Sequence, residues 1–381
     1  MKNFSSSIAN TANVIEKGAC YGTLILMTLV PVVELLIQPF GGIFPASRGI
    51  MTHLFLAAGL FTAMLTTKTN EHISIAVVQY IRNEKLKMVL AVATNLVSVF
   101  VVTNLFWDSL SFLKYGLSGR PIGVIPDRIF ALAMPIGYAV MAFRFARFAC
   151  RPGKGVIKGL VVPAVLVVAL GTVTSLPAIA KFIWKTGVPE PFYSWIDFLY
   201  DGAWYAKIPV ILILVAAALS GTPIFAVIGG IALIMLQARG GEPEAAPIQI
   251  YFALTDADII AIPLFTLTGF FLSESRAGER LVHAFRSFFS WLPGGMIIAA
   301  VVICAFLTSF TGASGVTILA LGGILYTILA EKSKYPERFS IGLLTSVGGI
   351  GLLFPPSLPI ILVGSTTNSI LYFMSETIEY N

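Results

Sequence analysis

The sequence predicts an all-α polytopic membrane protein, and three observations carry that prediction. The first is polarity: of 381 residues, 57% are hydrophobic and 12% charged, and the mean hydropathy is +0.87. A soluble domain carries about 25% charged residues, so this chain lacks the charges for a polar coat. The second is the recurrence of apolar runs near the ~20 residues that one bilayer crossing needs. The third is that Lys and Arg gather in short stretches between those runs, as they do in cytoplasmic loops.

In chain order, apolar segments lie at 21–38, 51–65, 88–113 and 125–146, followed by 159–180. The loop after the second holds Lys68, Arg82, Lys85 and Lys87, and the stretch after the fourth holds Arg144, Arg147, Arg151, Lys154 and Lys158. Two crossings separate these basic stretches, so both read as cytoplasmic, and Lys2 and Lys17 then lie inside as well. The first four segments form a bundle with both ends in the cytoplasm, and 159–180 leads outward. Residues 181–207, with Trp184, Trp195, Trp204 and several Tyr and Pro, read as an interfacial linker or an ordinary outer loop.

The run 208–236 is interrupted by Ser220-Gly221-Thr222-Pro223; it is long for one crossing and short for two. A polar break at 239–247, an apolar segment at 259–272 and a charged amphipathic stretch at 279–291 follow, the last expected on the membrane surface. Glu34, Asn95, Asn104 and Asp108 stand isolated within apolar runs. Intramembrane polar groups are paired or functional; Glu34 is expected to have a structural partner, and Asp108 to lie near a membrane face.

Other classes fit poorly. The formal net charge is +6, but no basic stripe with interleaved aromatics marks a nucleic-acid surface. Cys20, Cys150 and Cys304 are too scattered for a disulfide or metal framework. His53, His72 and His283 share no motif, and His72, in a polar loop, is expected to be solvated. Residues 1–20 lack the apolar core of a cleavable signal. The pair Asp256/Asp258 has no neighbouring His, so no enzyme is expected.

Two segments carry chemistry. In 292–330, two apolar arms flank Ser309-Phe310-Thr311-Gly312-Ala313-Ser314-Gly315. Gly permits chain reversal, and Ser and Thr can satisfy freed backbone groups. The pattern fits a helical hairpin with its tip inside the membrane; one long tilted helix with a small-residue packing face is the alternative. In 339–370, Gly348-Gly349-Ile350-Gly351 precedes Phe354-Pro355-Pro356-Ser357 and Pro359. Consecutive prolines remove helical N–H donors, so this helix breaks. A broken helix presents carbonyls that suit Na⁺ and a positive N-terminal end that suits an anion. The turn 331–338 is basic and reads as cytoplasmic. A hairpin entering from that side requires 208–236 to count as an even number of crossings.

The stretch 306–364 resembles the large membrane subunit of the tripartite ATP-independent periplasmic (TRAP) transporters. Thr311 to Gly323 looks like the first-repeat hairpin, and Tyr335-Pro336-Glu337-Arg338-Phe339-Ser340-Ile341-Gly342 with Phe354-Pro355-Pro356-Ser357-Leu358-Pro359 looks like the helix after it. Ala261-Ile262-Pro263-Leu264-Phe265 and Leu292-Pro293-Gly294-Gly295 match shorter signatures upstream. The first four helices resemble the four-helix small subunit.

The resemblance implies a fusion: a small-subunit-like domain at 1–155, a linker helix and interfacial segment at 156–207, and at 208–381 the first inverted repeat of an elevator-type, large-subunit-like transport domain. It further implies a sodium-coupled symporter of the bacterial inner membrane, importing an organic acid such as a carboxylate or sialic acid delivered by a periplasmic substrate-binding protein. The implied Na⁺ site uses mainly backbone carbonyls of Thr311, Gly312, Ala313 and Ser314, faced by Gly351, Phe354 and Pro356 across the break. Ala313 stands where relatives often carry Ser. The family carries a second repeat, and this chain stops at Asn381. The expectation is therefore a chain that does not transport alone and needs a missing C-terminal half. The alternative is a non-transporting structural module.

Overall fold

The computed structural model describes residues 2–42, 44–75, 80–117, 119, 121–150, 160–184, 189–275, 277–289, 291–311, 314–354, 357, 359–361 and 363–364. Its long elements are α-helices, and it forms two compact units, 1–255 and 256–381.

The first unit opens with α1 (Lys2–Ile37), α2 (Ser47–Thr69), α3 (Glu84–Ser111), the short α4 (Asp127–Ala131) and α5 (Ala133–Ala149). The stretches Asn13–Phe40, Ser47–Thr69, Glu84–Gly116 and Asp127–Ala149 are each long and apolar enough to cross a membrane, as expected for the first four segments. Asn83 caps α3, its side-chain oxygen accepting the Lys85 and Leu86 amides. A two-stranded hairpin, β1 (Pro121–Ile122) with β2 (Ile125–Pro126), leads from α3 to α4.

The expected linker helix departs from a straight crossing. It is a pair, α6 (Val161–Thr174) and α7 (Leu176–Ile183), bent by 60°. Pro177 cannot donate to the α6 ladder and its ring crowds the carbonyl four residues back. Ser175, at the bend, donates its hydroxyl to Asn104 Oδ1 at 2.9 Å. The interfacial-linker reading of 181–207 also changes. From Glu190 that stretch is helical and continuous with the apolar run after it, forming the 30-residue α8 (Glu190–Leu219).

The run 208–236 is two helices. Its Ser-Gly-Thr-Pro break ends α8, and α9 (Ile224–Ala238) returns along it. Gly230 of α9 lies so close to α8 that an added Cβ would sit 3.1 Å from Leu214. The turn rests on the loop after α2: the Ile224 amide donates to the Ile73 carbonyl at 3.0 Å, and Ser74 bridges to Pro223. That loop is the one whose basic residues read as cytoplasmic; of the two helices, α8 is long and apolar enough to cross a membrane and α9 is a shorter apolar helix. The short α10 (Ala245–Leu254) completes the unit.

One core runs through these elements. Leu56 and Leu60 of α2, Val99 and Val102 of α3, and Met134 and Phe145 of α5 are buried with Leu233 of α9 and Tyr251 of α10. Polar ties span the same joint. His53 Nε2 and the Tyr251 hydroxyl share a 2.6 Å bond. Ser111 donates to Glu244 at 2.5 Å, and Lys181 pairs with Glu244 at 2.9 Å. His72 is not solvated as expected: it is half-buried, bonded to the Thr67 hydroxyl at 2.7 Å and tucked against the rings of Phe145 and Phe225. Asp108 is buried, near the C-terminal end of α3. Glu34, half-exposed, makes no hydrogen bond or ion pair among the described residues, against the expectation of a structural partner.

The second unit holds α11 (Ala261–Glu274), α12 (Ala277–Phe289), α13 (Gly295–Thr311), α14 (Ser314–Tyr326) and α15 (Glu337–Val347). Val282, Phe285 and Phe289 of α12 face a core made by Ile303 and Leu307 of α13, Leu321 and Leu325 of α14, and Leu344 and Val347 of α15. Their spacing is the apolar stripe of a surface helix.

Candidate functional site

The candidate site is built where the hairpin meets the helix break. Helices α13 and α14 lie side by side, not end to end, so the one-long-helix alternative does not hold. Across them the Thr308 hydroxyl donates to the Thr317 hydroxyl at 2.9 Å, both side chains buried. Ser309 is buried as well and turns its hydroxyl onto the Phe306 carbonyl at 2.7 Å. Phe306, Phe310 and Phe265 form an aromatic ladder beside this turn, with centroids 5.0 and 6.0 Å apart.

After α15 the chain stops being α-helical. Gly348 and Gly349 lead into a 3₁₀ turn at Ile350–Leu353, and Phe354 is extended. Helix resumes at Pro359. Ser357, fully buried, holds the two halves together. Its hydroxyl donates back to the Leu352 carbonyl at 2.5 Å and accepts the Ile360 amide at 3.4 Å. One side chain thus satisfies a freed carbonyl of the first half and caps the second.

The break is seated on the hairpin through Gly351. A Cβ there would meet the Ala305 carbonyl oxygen at 2.4 Å and the Thr308 Cβ at 2.5 Å. Only a glycine lets the 3₁₀ backbone approach α13 this closely. The described oxygens at this joint are neutral: the Thr308, Thr317 and Ser309 hydroxyls on the hairpin, and the Ser357 hydroxyl and Leu352 carbonyl in the break. Hard cations take such donors. Among the described residues no group of three His, Cys, Asp or Glu could hold a metal ion.

Of the expected site residues, Gly351 sits against α13 one to two turns before its end, and Phe354 follows directly in the break. Thr311 and Ser314 are the terminal residues of the two hairpin helices. Gly312, Ala313 and Pro356 lie outside the described residues. Sequence reasoning passed over three contributors: Thr308, Thr317 and Ser357. Ser357 had a signal, since Ser followed within the first turn by Pro is a helix-start pattern. The Thr308–Thr317 pair had none, because nine residues become neighbours only once the hairpin closes.

Residues 26–154 match the family model described as tripartite ATP-independent periplasmic transporters, DctQ component, and residues 208–375 match the DctM component. The isethionate TRAP transporter permease protein DctMQ of Oleidesulfovibrio alaskensis is 27% identical over 274 residues, 69% of this chain and 38% of that protein. The C4-dicarboxylate TRAP transporter large permease protein DctM of Rhodobacter capsulatus is 26% identical over 160 residues, 42% of this chain and 36% of the relative. Its Vibrio cholerae counterpart is 31% identical over 110 residues, 29% of this chain and 24% of the relative. The chain therefore spans between a quarter and two-fifths of the length of these permeases. The matches divide the chain near 154 and 208, whereas compactness divides it at 255, because α9 and α10 pack into the core of the DctQ-like helices. With both component models matched in sequence order, and with the hairpin and broken helix in place, the chain belongs to the membrane components of the TRAP transporters, joining a DctQ-like and a DctM-like part in one polypeptide.

Proposed function

We propose that this chain serves a sodium-coupled transporter that imports an organic acid handed over by a periplasmic substrate-binding protein, in the bacterial inner membrane. Its hairpin and broken helix supply one Na⁺ site of that machine. The observation that supports this reading is the Gly351 seat. A backbone break pressed onto a hairpin, with hydroxyl and carbonyl oxygens on both sides, is how discontinuous membrane helices present oxygen ligands to a coupling ion. Thr311, Gly312, Ala313 and Ser314 on one side, and Gly351, Phe354 and Pro356 on the other, would hold the ion mainly through main-chain oxygens. The organic anion would lie where a half-helix N-terminus offers its amides, in a site completed by a second repeat. The elevator motion expected from the resemblance would carry both ligands together.

The test is ion-specific stabilisation. Purified chain in detergent is heated in NaCl, KCl or choline chloride at equal ionic strength. A ligand at one hundred times its Kd stabilises the folded state by about 2.7 kcal/mol. A midpoint raised by Na⁺ alone, and lost in Gly351→Ala, supports the reading. Identical midpoints in all three salts across the millimolar range count against a Na⁺ site in this half.

A further inference from the structure

We propose that the first unit carries a binding groove for an anionic glycerophospholipid of the cytoplasmic leaflet, formed between α1, α2 and α5. The groove has a volume of about 1080 Å³. Phe61, Ile136, Val140 and Phe143 wall it, and Phe143 and Ile136 are 69% and 50% exposed within the protein. Three cations line it: Lys68 at the end of α2, and Arg144 and Arg147 in the last turns of α5.

The charges are not equivalent. Arg144 is committed, forming a two-pronged pair with the buried Glu16 at 2.6 and 2.7 Å and a bond to the Met64 carbonyl. Glu16 is the groove's single carboxylate among its lining residues and is neutralised by that pair. Lys68 is exposed, and among the described residues its ammonium bonds the neutral Asn13 amide oxygen and no carboxylate. Arg147 is exposed and makes no ion pair or hydrogen bond among the described residues. Among the described residues, the rim therefore presents two cations that no carboxylate pairs.

Position and length identify the occupant. Lys68 borders the loop that the charge pattern places in the cytoplasm, so the cationic rim lies at that headgroup level. From Arg147 back to Ile136 the helix rises about 16 Å at 1.5 Å per residue. One leaflet of a ~30 Å hydrocarbon core is about 15 Å deep. An acyl chain thus fits along the apolar walls while its phosphate reaches Lys68 and Arg147. Basic pockets between membrane helices on the cytoplasmic side recognise acidic headgroups in this way. An inorganic phosphate would use the rim and leave the walls unused.

The experiment measures lipid retained by the full chain. Protein stripped in mild detergent is incubated with phosphatidylglycerol or phosphatidylcholine, passed over gel filtration, and assayed for phosphorus. Phosphatidylglycerol retained several-fold above phosphatidylcholine is expected. Each of Lys68→Gln and Arg147→Gln should lower its retention about fivefold, the worth of one cation near an acidic surface. Ala139→Trp, which fills the groove without touching a charge, should lower it with both cations in place. Inorganic phosphate in excess should not displace the lipid. Equal retention of the two lipids, or full retention by the double charge variant with unchanged helicity, overturns the proposal. Displacement by inorganic phosphate alone overturns it too, since the walls would then contribute nothing.

Discussion

Replacing Gly351 by alanine tests the geometry of the hairpin and the break directly. The added methyl carbon would stand 2.4 Å from the Ala305 carbonyl oxygen and 2.5 Å from the Thr308 Cβ, where real Cβ contacts essentially never fall below 3.0 Å. Both atoms belong to or sit directly on the backbone of α13, so no flexible side-chain end can give way. The 3₁₀ turn and α13 must separate by at least about 0.6 Å. Forcing one methyl into a filled interior costs about 1–3 kcal/mol, and here the strain falls on a helix whose Thr308 also bonds Thr317. The control is Gly342→Ala in α15, where an added Cβ meets nothing within 4 Å. In a helix that change should be neutral or stabilising by about 0.5–1 kcal/mol. Thermal unfolding in detergent, followed by intrinsic fluorescence, reads both. Gly351→Ala should lower the midpoint by several degrees while Gly342→Ala holds or raises it. If the two variants melt alike, the break is not seated on α13 as described.

Four further outcomes follow from the same contacts. Ser357→Ala removes both the bond to Leu352 and the cap on Ile360, at a cost of about 1 kcal/mol each; hydrogen exchange should quicken at residues 352–361 and nowhere in the first unit. Arg144→Ala leaves Glu16 buried and alone, which costs about 3–5 kcal/mol, whereas Arg144→Met with Glu16→Met should regain most of that, read as yield and thermal midpoint. Burial holds the His72 imidazole below its ordinary pKa of 6.5, so between that lowered value and 6.5 the unfolded chain binds more protons. Stability from His72 is then complete above pH 6.5 and falls as pH drops through 6.5 toward the lowered value; His72→Asn should flatten the midpoint between pH 7.5 and 5. Ser175→Ala with Thr174→Val strips both hydroxyl donors from Asn104 and should loosen the α6–α7 bend, seen as faster proteolysis of the 184–190 region.

The DctQ-like and DctM-like parts share more than a peptide connection. Leu233 and Tyr251 complete the core of the four DctQ-like helices, and the His72 loop closes over the turn between α8 and α9. Packing of this kind ties the two family matches into one compact unit.

What was legible in the sequence is what one-dimensional rules control. Apolar length marked the first four membrane-long helices, and Pro-Pro after a Gly cluster marked the break, because these depend on transfer energy and on missing N–H groups. Pro177 lay in plain view, yet the 60° bend was missed, since a proline inside an apolar run can also be absorbed, as Pro31 and Pro209 are in α1 and α8. The helix through 190–207 was not legible, because Trp and Tyr report the headgroup zone and say nothing about whether the backbone there stays helical. Glu244 and Thr317 carry no signal as single letters, and His72 reads there as a solvated loop residue; each acquires its role from a partner 5 to 133 positions away. The sequence by itself determined that the chain is helical, spans a membrane and breaks one helix after a hairpin. Only the tertiary structure decided that 208–236 turns back on itself, that Gly351 carries the contact between break and hairpin, and that Lys68 and Arg147 share a rim, because contact between distant residues follows from packing and not from any local pattern.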